Sequence, residues 1–382
     1  MIYFDSAATT FQKPKEVSRV VYHTMNRYGA NAGRGGHRLS VRAGELIYET
    51  REVLCDLFGI QEPECLVFCQ NTTQALNMGM KGILRTGDHV VITSMEHNSV
   101  LRPIEAASGN GTITYSIVRA NEKGELSLTE LAREIRSNTR MIVITHASNV
   151  CGNLYDIEAV ARLAHDHGIL CMIDAAQSAG ILPVRADNFD LVAFPGHKGL
   201  MGPQGTGGLY VRKGLQMATI IEGGTGSRSE SYHQPPEFPD RLESGTQNVA
   251  AIAGLGEGVR FLLSEGLDTV RQKEAELTEL FTDEVLNIPQ VKMYGTDKKQ
   301  EKLGVVALNI EGMDCVELAS ILDEEYGICV RAGLHCAVLA HETLGTKEIG
   351  CVRFSFGYFN TKKEIERACY ALSNIASCRS SY

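Results

Sequence analysis

A lysine set between glycines, in Pro195-Gly196-His197-Lys198-Gly199, is the first residue whose setting suggests chemistry. Glycines beside it let backbone and a cofactor approach the amine closely. Asp174 ends the apolar run ILCMID (169–174), and Gln177 lies just beyond it. Gln70-Asn71-Thr72-Thr73 follows CLVFC (65–69) at a helix start, where free amides and hydroxyls can hold a phosphate. Glu96-His97-Asn98 follows HVVIT (89–93), and His146-Ala147-Ser148-Asn149 follows RMIVIT (140–145). Singly, each has an ordinary reading: Thr72 caps a helix, His97 sits in a surface loop, Asp174 caps a turn and Lys198 is a solvated charge. Together they supply a phosphate anchor, a strand-end acid and an amine. That set fits pyridoxal 5'-phosphate, which needs a lysine for its Schiff base and an acid to keep its pyridine nitrogen protonated. No G-x-G-x-x-G follows a first strand and no G-x-x-x-x-G-K-[ST] occurs, so dinucleotide and P-loop sites fit worse.

The second candidate is Cys336, in RAGLHCAVLAHETLG (331–345), a segment that reads as the turn after a short strand. The chain has 11 cysteines, an odd number, which argues against a complete disulfide framework. Cys65 and Cys69 are the closest pair, and no second pair or His cluster completes four metal ligands. Filler or nucleophile remains. A nucleophile must be a thiolate, and the neighbouring Arg331 and His335 are placed to favour one, while Gly333 gives the loop room. Cys151, beside Asn149, is a further candidate to line the pocket. The remaining cysteines fall in apolar runs or helices and read as packing.

The elements that must position these groups alternate. Between 65 and 212, the apolar runs 65–69, 89–93, 113–118, 140–145, 169–174, 190–194 and 207–211 are separated by helical patterns such as 71–84 and 157–168. Strands separated by helices imply βαβ units and a mainly parallel sheet covered on both faces. Ligands then bind beyond the carboxyl ends of the strands, where the residues above gather. Residues 221–247 are rich in Gly, Ser and Pro and read as a surface loop. Helices over 248–265 and 267–287 lead to a smaller α/β unit with runs at 304–310, 329–333 and 351–357 and helices at 315–327 and 361–376.

A chain of 382 residues suits one large domain with a smaller companion. Its net charge of −9, without any Lys/Arg-rich run, speaks against nucleic acid as a partner. MIYFDSAATT has no basic region leading into an apolar run, and no window approaches the roughly 18 apolar residues of a membrane span. A cytoplasmic protein with reduced cysteines is the expectation.

DSAATT, NTTQALN, EHNS, HASNVCGN, DAAQSAG, GHKGLMGPQGTGGLYV, ESGTQN and RAGLHCA…VRFSFGYFNT occur in order over nearly the whole chain. This series resembles the cysteine desulfurase/selenocysteine lyase group of class V aminotransferase-like enzymes. The resemblance implies the fold-type I pyridoxal-phosphate architecture: a large domain (15–254) with a mainly parallel seven-stranded sheet, and a smaller α/β domain (1–14 and 255–382) that carries the cysteine loop. RAGLHCA is similar to the branch whose cysteine loop is short and fairly rigid.

Position by position, Lys198 matches the lysine that binds the cofactor, and Asp174 the partner of the pyridine nitrogen. Asn149 and Gln177 match residues near the phenolic oxygen, and His97 the histidine stacked on the ring. Thr72, Thr73 and His197 match the phosphate site. Thr246 matches a threonine that reaches the phosphate of a neighbouring subunit, which implies a homodimer. Arg353 matches the arginine that pairs with the substrate carboxylate, and Arg331 a further active-site arginine. The implied reaction converts L-cysteine to alanine with a persulfide on Cys336 for a sulfur-acceptor protein. The same scaffold acting on L-selenocysteine, for selenium delivery, stays open. Two departures stand out. Pro195 occupies a position where relatives carry Ser or Thr, and it offers neither hydroxyl nor N–H. The 221–247 segment also differs from theirs.

Overall fold

The computed structural model describes residues 1–33 and 35–379. Strand β1 (Ile2–Tyr3) and helices α1 (Lys15–Arg27) and α2 (Arg38–Phe58) precede the main alternation. This runs β2 (Leu66–Cys69), α3 (Thr72–Ile83), β3 (His89–Thr93), α4 (Asn98–Gly109), β4 (Thr114–Val118), α5 (Leu128–Arg133), β5 (Thr139–Thr145), α6 (Ile157–Asp166), β6 (Leu170–Asp174), β7 (Leu191–Pro195) and β8 (Gly207–Val211). Helices α7 (Val249–Glu265) and α8 (Leu267–Val285) lead into a second alternation. Its elements are β9 (Val291–Tyr294), β10 (Val305–Ile310), α9 (Cys315–Tyr326), β11 (Ile328–Cys329), β12 (Arg331–Gly333), α10 (Val338–Thr343), β13 (Cys351–Ser355) and α11 (Lys362–Arg379).

Seven strands form one sheet in the order β2-β8-β7-β6-β5-β3-β4. β7, β6, β5, β3 and β4 are parallel to one another, whereas β8 runs antiparallel to both β7 and β2. β8 is the exception because a loop, not a crossover helix, joins it to β7. Residues of β3, β6 and β7 are buried at every position, as continuous apolar runs between two helical layers must be. On one face Ile144, Ile173 and Val192 pack with Leu54, Val160 and Leu255; on the other, Val143, Met172 and Ala193 meet Leu76, Met80 and Ile104. Thr145 pairs with Asp174, and Asp174 with Ala193, so the strands end in step and their following residues share one edge.

A four-stranded antiparallel sheet, β12-β13-β10-β9, has its own core around Phe4, Phe281, Phe354 and Leu372. The run 329–333, expected as a single strand, is two: Ile328–Cys329 pairs with β1, and Arg331–Gly333 pairs with β13. The break at Val330 is where the chain changes partner. Residues 221–247 form neither helix nor strand. Among the described residues no helix is long and apolar enough to cross a membrane.

Candidate active site

At the carboxyl edge of the large sheet lies a cavity of about 220 Å3 lined by Thr72, Thr73, His97, Asn149, Asp174, Gln177, Pro195, His197 and Lys198. Arg331, His335 and Arg353 from the second sheet close its other side, with Ala7 and Ala8 from the N-terminal segment. A larger cavity of about 880 Å3 holds His146 and Arg271 but none of the candidate lysine, acid or cysteine residues, so His146 does not join the site.

Asn71, not Thr72, caps α3: its side-chain oxygen accepts from Gln74 N at 2.9 Å. Thr72 Oγ1 is therefore spare, buried and without a partner among the described residues. Thr73 Oγ1 is 2.8 Å from Ser99 Oγ. His97 is no surface residue. It caps α4 by accepting from Ser99 N at 3.0 Å, and burial, with Lys198 and Arg331 nearby, lowers its pKa to about 4. Its ring is neutral near pH 7.

Asp174 is 2% exposed, and burial raises its pKa to about 6 against one backbone hydrogen bond from Ala176. Near neutral pH it is mainly a carboxylate in a low-polarity setting, suited to a cationic partner. Lys198 is lowered to about 8, first by burial and next by Arg353, with Asp174 opposing. A minor fraction of its amine, far larger than for a solvent-exposed lysine, is thus free near neutral pH. His197 Nδ1 lies 3.1 Å from Thr9 Oγ1, and burial lowers its pKa to about 4, so it meets an anion as a neutral ring.

Sequence reasoning assigns the glycines around Lys198 to cofactor approach. The structure gives them a different task. A Cβ at Gly199 would stand 2.3 Å from the Ala179 carbonyl oxygen, and one at Gly196 would stand 2.1 Å from Thr206 Oγ1. They let two loops cross directly behind the lysine. The N-terminal segment holds the same backbone: Thr10 N and Oγ1 donate to the carbonyls of His197 and Lys198 at 3.0 and 2.8 Å. The motif DSAATT is in the sequence, but its grip on Lys198 spans 188 residues and has no local signal.

Arg353 is 1% exposed. Its Nη1 donates to the Asn149 carbonyl at 2.9 Å and its Nη2 to Asp5 at 2.7 Å, while its buried Nε has no partner among the described residues. Gln177 Nε2 donates to the Ala7 carbonyl at 3.2 Å. Asn149 Nδ2 donates to the His335 carbonyl at 2.7 Å, so it also pins the cysteine loop.

Cys336 is exposed beside the cavity, and Arg331 Nη2 donates to its Sγ at 3.6 Å. His335 does not assist. Its ring turns inward, bonded to His341 and to the Arg331 carbonyl, and burial pushes its pKa down to about 3, so it carries no charge to favour a thiolate. Cys151 is fully buried in the core and does not line the cavity. Thr246 is exposed in the irregular 221–247 segment and is not brought to the cavity of its own chain.

Residues 2–368 match the family described as Aminotransferase class-V. A probable cysteine desulfurase from Methanothermobacter thermautotrophicus is 36% identical, over 98% of this chain and 94% of that protein. One from Pyrococcus abyssi is 32% identical, over 100% and 96%. Among solved structures, an apo cysteine desulfurase from Thermococcus onnurineus superposes with a TM-score of 0.90 at 32% identity, covering 98% of this chain and 94% of that one. A cysteine desulfurase from Escherichia coli gives 0.89 at 26% identity, with coverage of 98% and 94%. With the match running almost end to end, the chain belongs to the class-V aminotransferase family.

Proposed function

We propose that the protein is a pyridoxal-phosphate-dependent cysteine desulfurase that converts L-cysteine to L-alanine and leaves the sulfur as a persulfide on Cys336. One observation carries this reading: Lys198 of the large sheet and Arg331 of the small one line the same cavity, and Arg331 Nη2 reaches Cys336 Sγ at 3.6 Å just outside that lining. The names of the relatives above support it. The residues present fit the cofactor. Thr72 Oγ1 is a buried donor with no partner, Asp174 is a buried acid, and Lys198 is an amine whose charge burial disfavours.

Thr72, Thr73 and His197 would hold the phosphate, Asp174 the ring nitrogen, Asn149 and Gln177 the side of the phenolic oxygen, and His97 the ring face. In a homodimer Thr246 would reach the phosphate of the partner subunit. When bound, pyridoxal phosphate supplies an electron sink conjugated to the substrate's Cα. Lys198, as a free amine, takes the Cα proton. Arg353 binds the substrate carboxylate through its unpartnered Nε and the remaining Nη hydrogens. The Cys336 thiolate attacks the substrate sulfur. An S–S bond forms and the Cβ–S bond breaks. The electron pair stays with the carbon fragment, which takes up a proton on its way to alanine. Because Cys336 is exposed, its persulfide stays open to an acceptor protein.

The test is alanine release from L-cysteine and from L-selenocysteine by the wild type and by Cys336→Ala. Loss of the cysteine reaction in the variant is the expected result. A wild type that ignores cysteine and cleaves selenocysteine regardless of Cys336 would replace this reading with a selenium-specific lyase. Alanine from neither substrate would end it.

A further inference from the structure

His335 Nδ1, His341 Nε2 and Cys351 Sγ lie within 4.8 Å of one another, all on buried residues, and His335 directly precedes Cys336 in the chain. Every ring nitrogen of the two histidines has a partner. His335 Nε2 is 3.2 Å from the Arg331 carbonyl oxygen, His335 Nδ1 is 3.2 Å from His341 Nε2, and His341 Nδ1 is 2.7 Å from Thr346 Oγ1. A carbonyl only accepts, so His335 Nε2 must carry the proton. Burial keeps both rings neutral. His335 Nδ1 is then an acceptor, with His341 Nε2 at 3.2 Å as its nearer donor and the Cys351 thiol at 3.9 Å as its farther one; with His341 Nε2–H donating, His341 Nδ1 accepts from the Thr346 hydroxyl. One assignment satisfies the whole column, running from Thr346 to Arg331.

The column ends on a backbone that needs holding. His335 and Cys336 are adjacent L-residues at φ +48° and +57°. Such conformations persist only where the surroundings over-determine them. Asn149 Nδ2 grips the His335 carbonyl at 2.7 Å, and the Cys336 carbonyl accepts from Asn98 N at 2.8 Å. The His335 ring, donating back to Arg331, closes the loop on itself. That bond needs the proton on Nε2, the tautomer that a donor at Nδ1 favours, and His341 Nε2–H is the nearer such donor.

We propose that His341 is a positioning residue for Cys336: by donating to His335 Nδ1 it fixes the ring that clips the 331–336 loop, and so keeps the thiol at Arg331 beside the cavity. This rests on the desulfurase reading for its effect on turnover. The cluster's spacing would also suit a metal ion. However, the described residues supply only three donors, and a metal would have to displace the hydrogen bond between the rings.

The test compares wild-type holoenzyme with His341→Leu, His341→Gln and Thr346→Val. Three readouts are used: kcat and KM for L-cysteine, the rate of Cys336 alkylation by iodoacetamide without substrate, and bound metal. His341→Leu should lower kcat about tenfold with KM little changed, and slow alkylation in parallel. His341→Gln, which keeps a donor and an acceptor, should recover most of both. Leu and Gln variants that match each other in both readouts would overturn the proposal, as would stoichiometric zinc that disappears in Cys351→Ala. Should His341→Leu not fold, Thr346→Val, which loses only one hydroxyl, decides between a slowed and an unchanged Cys336. A wild type inert towards L-cysteine sinks the desulfurase reading, while the alkylation comparison still decides this one.

Discussion

Lys198 and Asp174 are tuned in opposite directions by the same burial, towards about 8 and about 6. Capture of pyridoxal phosphate by the cofactor-free protein needs the amine uncharged and the acid charged. Its rate should therefore be low below pH 6, where Asp174 takes a proton, climb as Lys198 loses one, and level off above pH 8. Stopped-flow absorbance of the coloured adduct measures this, and a rate that falls between pH 6 and 8 would contradict the assignment. Lys198, Asp174 and Thr72 are legible because each ends a strand or follows one within three residues. The direction of the His335 ring is not. Spacing placed His335 beside Cys336, but the left-handed backbone at both residues turns the imidazole inward. Likewise, nothing near Arg353 in sequence announces Asp5, which lies 348 residues away.

Among the elements, the strands of the large sheet were readable because apolar runs buried on both faces carry a strong signal. Helices α1 and α2 are amphipathic and pack on α7, yet they leave Tyr22, Met25, Val41 and Tyr48 exposed. The 221–247 segment has no period at all and is held by side chains instead. Glu243 accepts from Arg51 Nη2 at 3.0 Å and from Phe68 N at 2.7 Å, and the Arg51 and Glu243 side chains are only 6% and 8% exposed. Removing one partner leaves a buried charge alone. Arg51→Ala should therefore cost about 3–5 kcal/mol in chemical denaturation. A loss below about 1 kcal/mol, the range of exposed pairs, would mean that solvent already reaches the pair.

At the scale of the whole molecule, the exposed apolar residues on α1, α2 and near Ile220 and Tyr232, together with the unrecruited Thr246, suit a second copy of the chain. If Thr246 serves the partner's site, mixing Lys198→Ala and Thr246→Ala subunits puts both defects in one site and leaves the other intact. Alanine release should rise on subunit exchange, well above the sum of the separate variants. No gain despite exchange, seen by size and mass measurements, would assign Thr246 to its own chain.

The bond between Asp5 and Arg353 also ties the N-terminal segment to β13, the last strand among the described residues. During synthesis the large sheet, whose last strand in chain order ends at Val211, can form well before Arg353 is made. The arginine side of the cavity cannot exist until Arg353 has left the ribosome. A nascent chain halted before that residue would hold a folded sheet around Lys198 with Asp5 unmatched, so assembly of the site waits for β13, however early the large sheet has formed.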